Sequence, residues 1–345
     1  MAGYDLPKRL LHWFAVIATI SVLGLIGSGG LVTSHEAGMA VPDWPNSFGY
    51  NMFLFPISRW VGGVFFEHTH RLIASLVGLL TVGVCLATWL IDDRRWVKWL
   101  ATVAVLAVVI QGVLGGLRVT EHNALLGLFH GCLAQSFLAL MATLALVTSP
   151  FWNRLATSSF QTRQLRLLSV IVTAMVFAQL VLGAAMRHSH AGLSIPDFPT
   201  TYGAWWPLLD PAAIAKINEA RAAAGQPFTS GGLILLQYVH RVWALLIGIG
   251  VVWTSAKLIR SPLLPTPIRA AGAAWILLIF VQLVLGAWTV LSNKAADIAT
   301  SHVLGGALML VVGVLLSVSL SRIPACNDNR TAGGSPVYSV EIGKL

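Results

Sequence analysis

The sequence predicts an all-α integral membrane protein with eight transmembrane helices, arranged as two repeated four-helix bundles. Three observations carry this. The chain is 56% hydrophobic and only 10% charged, outside the range of soluble globular domains. Eight apolar stretches reach the length of about 20 residues that a spanning helix needs. The Lys and Arg residues gather in alternate connections between those stretches.

The spans fall at roughly 10–33, 68–91, 97–118, 124–148, 166–186, 232–258, 269–291 and 299–321, leaving no room for a soluble domain. The first follows Lys8 and Arg9, but its long apolar run and lack of a small-x-small cleavage site make it a retained helix rather than a signal peptide. The basic connections are the N-terminus, residues 92–98 (Arg94, Arg95, Lys98), 149–166 (Arg154, Arg163, Arg166) and 257–269 (Lys257, Arg260, Arg269). They are expected to face the cytoplasm, with both termini on that side. The net charge of +9 (22 minus 13) then reflects topology and calls for no nucleic-acid partner. Cys85 and Cys132 lie in predicted helices and Cys326 in the C-terminal tail, so no outer disulfide is expected. The tail, 323–345, has the composition of a disordered cytoplasmic segment.

An internal repeat sets the domain organisation. The outer loop after the first span contains EAGMAVPDWPNSFGY (36–50), and the one after the fifth contains HAGLSIPDFPTTYGAWWP (190–207). Both carry AG-x3-PD-aromatic-P at an offset of 154, matching Asp43 with Asp197 and Trp44 with Phe198. EHTHR (67–71) recurs as QYVHR (237–241), and QGVLGGLRV (111–119) as QLVLGAWTV (282–290). The chain divides into an N-terminal half, 1–160, and a C-terminal half, 161–322. An even number of helices per half implies a pseudo-two-fold axis along the membrane normal.

Four of the ten histidines belong to the repeat: His70 with His240, and His130 with His302. All four are expected near the outer ends of their helices. Ionisable side chains inside a membrane are costly and mark functional sites. Zinc and copper sites need three or four close ligands, whereas two imidazoles per apolar half suit a six-coordinate haem iron held between helices. Small residues around them (Gly112, Gly115, Gly116, Gly127, Gly131, Gly286, Gly305, Gly306) would let backbones approach a macrocycle, or serve ordinary helix packing. The remaining six (His12, His35, His68, His122, His188 and His190) have no repeat-equivalent histidine and are expected to be peripheral and solvated, although His188 and His190 could line an entrance. Arg71 and Arg241 follow ligand histidines and could pair a haem propionate or snorkel to the interface. Arg118 has Thr289 as its counterpart, an asymmetry that makes it a candidate for a substrate's propionate.

A second asymmetry concerns Glu67, whose counterpart is Gln237. Glu67 shares a helix face with His70. A carboxylate beside a haem could act as a general base or stabilise a developing cation; the other reading is a helix end at the aqueous boundary, favoured by the helix dipole.

These motifs together resemble the haem A synthases, membrane enzymes that oxidise haem O to haem A for cytochrome oxidases. The resemblance rests on E-x-G-x3-PDWP (Glu36 to Pro45), E-x2-HR (Glu67 to Arg71), Q-x2-LGG-x-RV (Gln111 to Val119), the histidine of the fourth span and their second-half copies. It implies that His240 and His302, with Arg241 nearby, hold a haem b cofactor, that His70 and His130, with Arg71 and Arg118, receive the substrate haem O, and that Glu67 is catalytic. The implied reaction takes a porphyrin methyl to a formyl by successive oxidations. Haem O synthase and a membrane electron acceptor are the candidate partners, and a homo-oligomer is left open. Some members carry a cysteine pair in the first outer loop. Residues 34–66 have none, so a thiol-dependent step there is not expected. The short N-terminus points to a bacterial inner (plasma) membrane, and residues 208–231 read as an added amphipathic helix at the outer face. Two other classes compete: a di-haem b-type electron-transfer cytochrome, which leaves Glu67 against Gln237 unexplained, and a transporter with a histidine proton relay.

Overall fold

Each of the eight apolar stretches forms one long helix in the computed structural model, which describes residues 5–155 and 162–323. In chain order the helices are α1 (Leu6–Ser34), α2 (Gly62–Ile91), α3 (Arg95–Thr120), α4 (Ala124–Val147), the short α5 (Pro150–Leu155), α6 (Arg163–His188), α7 (Pro211–Ala223), α8 (Gly231–Arg260), α9 (Thr266–Leu291) and α10 (Ala296–Arg322). The spanning helices are 24 to 30 residues long, roughly 36–45 Å at 1.5 Å per residue, enough to cross a hydrocarbon core of about 30 Å. Helix is the structure such segments adopt because it satisfies every backbone group internally where no water can. Polar side chains close several ends: Asn123 accepts the Leu125 amide, Asp210 that of Ala213 and Ser230 that of Leu233. Among the described residues there is no β-strand.

Helices α1, α2, α3 and α4 form one closed ring, each touching the next, and α6, α8, α9 and α10 form another. The rings meet where α1 touches α10, α4 touches α10, and α4 touches α6. Exchanging α1 with α6 and α4 with α10 maps this set of contacts onto itself. A buried apolar cluster runs through the seam, including Phe137, Met141 and Leu144 of α4 and Ala307, Leu310 and Leu316 of α10. The outward faces are apolar too: Leu79, Leu90 and Ile249 are 72%, 87% and 68% exposed. That is the surface of a protein solvated by lipid rather than water.

The two PD-aromatic-P loops fold alike. Asp43 accepts the amides of Phe48 (2.7 Å) and Gly49 (2.8 Å), and Asp197 those of Tyr202 (2.7 Å) and Gly203 (2.9 Å). Phe48 and Tyr202 take left-handed φ values of 51° and 52°, followed by Gly49 and Gly203 at 76° and 80°. The carboxylate acceptors hold this otherwise strained pair in place. Each loop is also closed by an isolated bridge, Ser47 to Tyr50 and Thr201 to Ala204.

One boundary differs from the sequence reading in a way that matters. α2 starts at Gly62 rather than 68, because Gly62, with φ 53°, lets the chain turn into the helix early. EHTHR is therefore inside the helix, not at its mouth. The 208–231 segment does contain a helix, α7, and it is tied down by Arg221, which donates to the carbonyls of Pro227 (2.7 Å) and Leu193 (3.0 Å). The boundary near residue 160, Cys326 and the tail beyond 323 lie outside the described residues.

Candidate functional site

The four repeated histidines occupy matching niches, each facing a glycine on a neighbouring helix. A Cβ added to Gly29 would lie 3.0 Å from His70 Cε1, and one on Gly183 3.3 Å from His240 Cε1. The same construction at Gly115 and Gly286 gives 3.2 Å to His130 and 3.2 Å to His302. Gly29 and Gly183 are separated by the 154-residue loop offset, and Gly115 and Gly286 by the 171-residue helix offset. Small residues at these positions are what allow an imidazole to turn edge-on beside the adjacent backbone. Each ring is enclosed by its bundle yet keeps part of its surface accessible.

Backbone clamps steady the histidine helices. Gln111 Nε2 donates to the His130 carbonyl (3.1 Å), Gln282 to that of His302 (3.0 Å) and Gln179 to that of His240 (2.9 Å). Gln111 and Gln282 open the repeated QGVLGG and QLVLGA motifs, so their pairing was visible as a signal, though not its purpose. The halves then diverge. In the first, His70 Nδ1 meets Ser28 Oγ at 2.8 Å and His130 Nδ1 meets the Gln111 carbonyl at 3.2 Å. Such contacts fix ring orientation and leave Nε2 as the free ligand atom. In the second, the Nδ1 atoms of His240 and His302 are buried without a partner among the described residues.

Two partly accessible imidazoles in each ring of helices, whose Nε2 atoms make no hydrogen bond among the described residues, are a donor set that fits a flat metal macrocycle. Among the described residues no group of three or more His, Cys, Asp or Glu forms a ligand set, which is what a zinc or copper site would require.

Glu67 is the sixth residue of α2 and 4% exposed. It is not a helix end in water. Its Oε2 accepts the Val41 amide (2.8 Å) and its Oε1 the Arg71 guanidinium (2.8 Å). Gln237 does the corresponding work, accepting the Ile195 amide through Oε1 at 2.6 Å and donating to the Gly192 and Ile195 carbonyls (both 3.1 Å). Thus both residues staple the outer loop to its helix, and only the first brings a charge.

The arginines next to the histidines are turned towards the loops. Arg71 donates through Nη1 to the carbonyls of Asp43 (2.6 Å) and Asn46 (3.0 Å), and through Nη2 to Val41 (2.8 Å) as well as Glu67. Arg241 donates to Thr200 (2.9 Å), Ile195 (3.3 Å) and Asp197 (2.9 Å). Arg71 thus has its Nη donors matched by loop carbonyls and Glu67, and Arg241 has three of its four matched, leaving fewer for a ligand or water than either sequence reading, propionate pairing or snorkelling, would have left. Arg118 is different: it makes no hydrogen bond or close ion pair among the described residues, and its guanidinium lies against Gly38 and Gly127.

Three histidines expected to be solvated are not. His68 is completely buried, wedged between Phe55 and Trp60 with Nδ1 3.1 Å from Ser47 Oγ; the early start of α2 carries it below the loop. His188 is half-buried against Gly127, where a Cβ would lie 2.6 Å from its Cε1. His12 bonds the Ala145 carbonyl at 2.9 Å. His35, His122 and His190 are exposed, as expected.

Comparison with known proteins gives the family of the chain. The family model described as COX15-CtaA, cytochrome oxidase assembly protein, matches residues 49–314. The chain belongs to this family. Similar curated proteins are the heme A synthase of Lysinibacillus sphaericus, 26% identical over 318 residues covering 89% of this chain and 94% of that protein, and the heme A synthase of Shewanella oneidensis, 26% identical over 337 residues covering 90% and 96%. The heme A synthase of Halalkalibacterium halodurans is 25% identical over 330 residues, covering 91% and 98%. The family match spans EHTHR, QYVHR and all four repeated histidines.

Proposed function

We propose that the chain is a haem A synthase, an oxidoreductase that converts a porphyrin methyl of haem O to a formyl group. The observation that carries this is the pair of matched histidine niches with a buried carboxylate, Glu67, beside only one of them. On this reading His70 and His130 receive the substrate haem O, and His240 and His302 hold haem b. When bound, haem b supplies one-electron redox chemistry towards a membrane electron acceptor.

The chain's own residues bind, orient and polarise. Ser28 and the Gln111 carbonyl set the rings of His70 and His130 for ligation. Glu67, three residues before His70 and held by Val41 and Arg71, presents a fixed negative charge at the edge of the first niche. There it stabilises positive charge developing on the substrate or accepts a proton. The apolar surround keeps bulk water from the reacting group. Haem O synthase is the partner whose chemistry supplies the substrate. The alternate basic connections support cytoplasmic termini.

The test is Glu67→Gln, expressed in cells that make haem O. Gln237 shows that an amide can keep the loop staple, so the variant should retain its second-half haem and form no haem A. Wild-type haem A production would overturn the catalytic role. A wild-type protein that retains two haems and modifies neither would instead be the electron-transfer cytochrome.

A further inference from the structure

Three side chains at the seam between the rings separate the two niches further. Arg118 lies within Coulombic range of Glu67, His70, His130, Arg187 and His188. Arg187 and His188 come from α6, in the other ring. Arg187 reaches across to α1, where its Nη2 donates to the Gly30 carbonyl (2.8 Å) and Ser34 Oγ (2.7 Å). His188 packs on Gly127 of α4 beside Arg118 Nε, and a Cβ on Gly127 would be 3.1 Å from that nitrogen. By the repeat offsets, the counterparts of Arg118, Arg187 and His188 are Thr289, Thr33 and Ser34. Each exchange adds a cationic or ionisable group: Arg118 and His188 lie within Coulombic range of His130, and Arg187 lies within range of Arg118.

A brace between the rings would need only a hydroxyl or an amide. Burying guanidinium groups in a membrane protein is costly without a counter-charge. Yet Arg118 and Arg187 have no carboxylate within 4 Å among the described residues, and Glu67 in their vicinity is already paired with Arg71. The local charge calls for an anion that arrives with the ligand.

We infer that Arg187 and His188 of the second half, with Arg118, form a carboxylate-binding site that completes the first-half niche and selects porphyrins bearing free acid side chains. This rests on the reading of that niche as the substrate site. The site would hold a dicarboxylate porphyrin by charge-assisted hydrogen bonds, and the second-half niche, with threonines and serine in place of the three, would lack this selection.

Optical titration of ferric protoporphyrin IX, and separately its dimethyl ester, into purified protein already carrying its second-half haem tests this. Wild type should take up the free acid in the first half at least about tenfold more tightly than the ester, since one lost charge-assisted contact changes affinity by about that factor. Arg187→Thr and His188→Ser, which copy the other half, should each lower affinity for the acid and leave the ester unchanged, and Arg187→Lys should keep the preference. Equal binding of acid and ester by wild type, or equal loss of both in Arg187→Thr, would overturn the inference while leaving the niche a haem site. Should Arg187→Thr lose its second-half haem and with it the fold, His188→Ser decides on the same criterion. If wild type takes up neither compound in the first half, the substrate-site reading itself fails and the inference falls with it.

Discussion

Glu67 Oε2 accepts the amide of Val41 at 2.8 Å, so the carboxylate that replaces Gln237 in the first half is also a structural staple for the outer loop. Charge and shape are thus combined in a single side chain, and they can be separated experimentally. Glu67→Ala should remove both, freeing residues 36–50 for cleavage by an added protease, whereas Glu67→Gln should leave that loop as resistant as wild type. Equal protease resistance in the alanine variant would show that the staple is dispensable.

The second-half histidines are expected to govern resident haem. His240→Ala or His302→Ala should remove most haem b from the purified protein, and His70→Ala or His130→Ala should leave most of it. Absorbance of extracted pigment reads this directly; the opposite ranking would exchange the roles of the two niches.

The glycines facing the histidines give an independent check that touches no ligand. With Cβ positions only 3.2–3.3 Å from the rings of His302 and His240, Gly286→Val and Gly183→Val should displace the imidazoles and lower second-half haem content severalfold, overpacking of this kind costing about 1–3 kcal/mol. Gly29→Val and Gly115→Val should spare that haem and reduce haem A formation. Unchanged pigment in all four variants would mean the niches are not haem sites.

Arg241 ties three carbonyls of the second outer loop to α8. Arg241→Ala should lower thermal stability in detergent, with a loss on the order of 1.5–3 kcal/mol for the charged hydrogen bonds. A haem-binding role alone would instead leave the haem-free protein as stable as wild type.

Acid should act through the loop carboxylates. Burial opposes ionisation of Asp197, but the Thr200 hydroxyl and the Gly203 and Tyr202 amides outweigh it and hold its pKa below the ordinary value of 3.8. Asp43 behaves likewise through the amides of Gly49 and Phe48. A lowered pKa means that stability is fully present above the ordinary carboxylate range and is lost as pH falls through the native value. Both loops should therefore keep their protease resistance down to about pH 4 and lose it below, and Asp197→Asn should abolish that acid dependence for its loop. Loss of resistance near neutral pH would assign the transition to other groups.

Much of this protein could be read from residues alone. Eight long apolar runs predict eight helices because a bilayer leaves the backbone no other economical way to bond, and the repeat identified His70, His130, His240 and His302 because equivalent positions share a role. Gly29 and Gly183 also lay in repeat register, but nothing in a one-dimensional pattern says that a glycine faces a ring on another helix.

What the sequence could not convey concerns contacts between distant positions. His68 looked like a loop residue, and the early start of α2 buries it. Arg71 and Arg241 looked free to pair a propionate or to snorkel, and the carbonyls of their own loops take most of their Nη donors. Arg187 carried no signal, since its partners Gly30 and Ser34 are 157 and 153 residues away on the opposite ring. Hydropathy and repeats report the environment of a segment, averaged over several residues. The partner of a single polar side chain depends on how helices are placed against each other, and that placement arises from packing across the whole bundle.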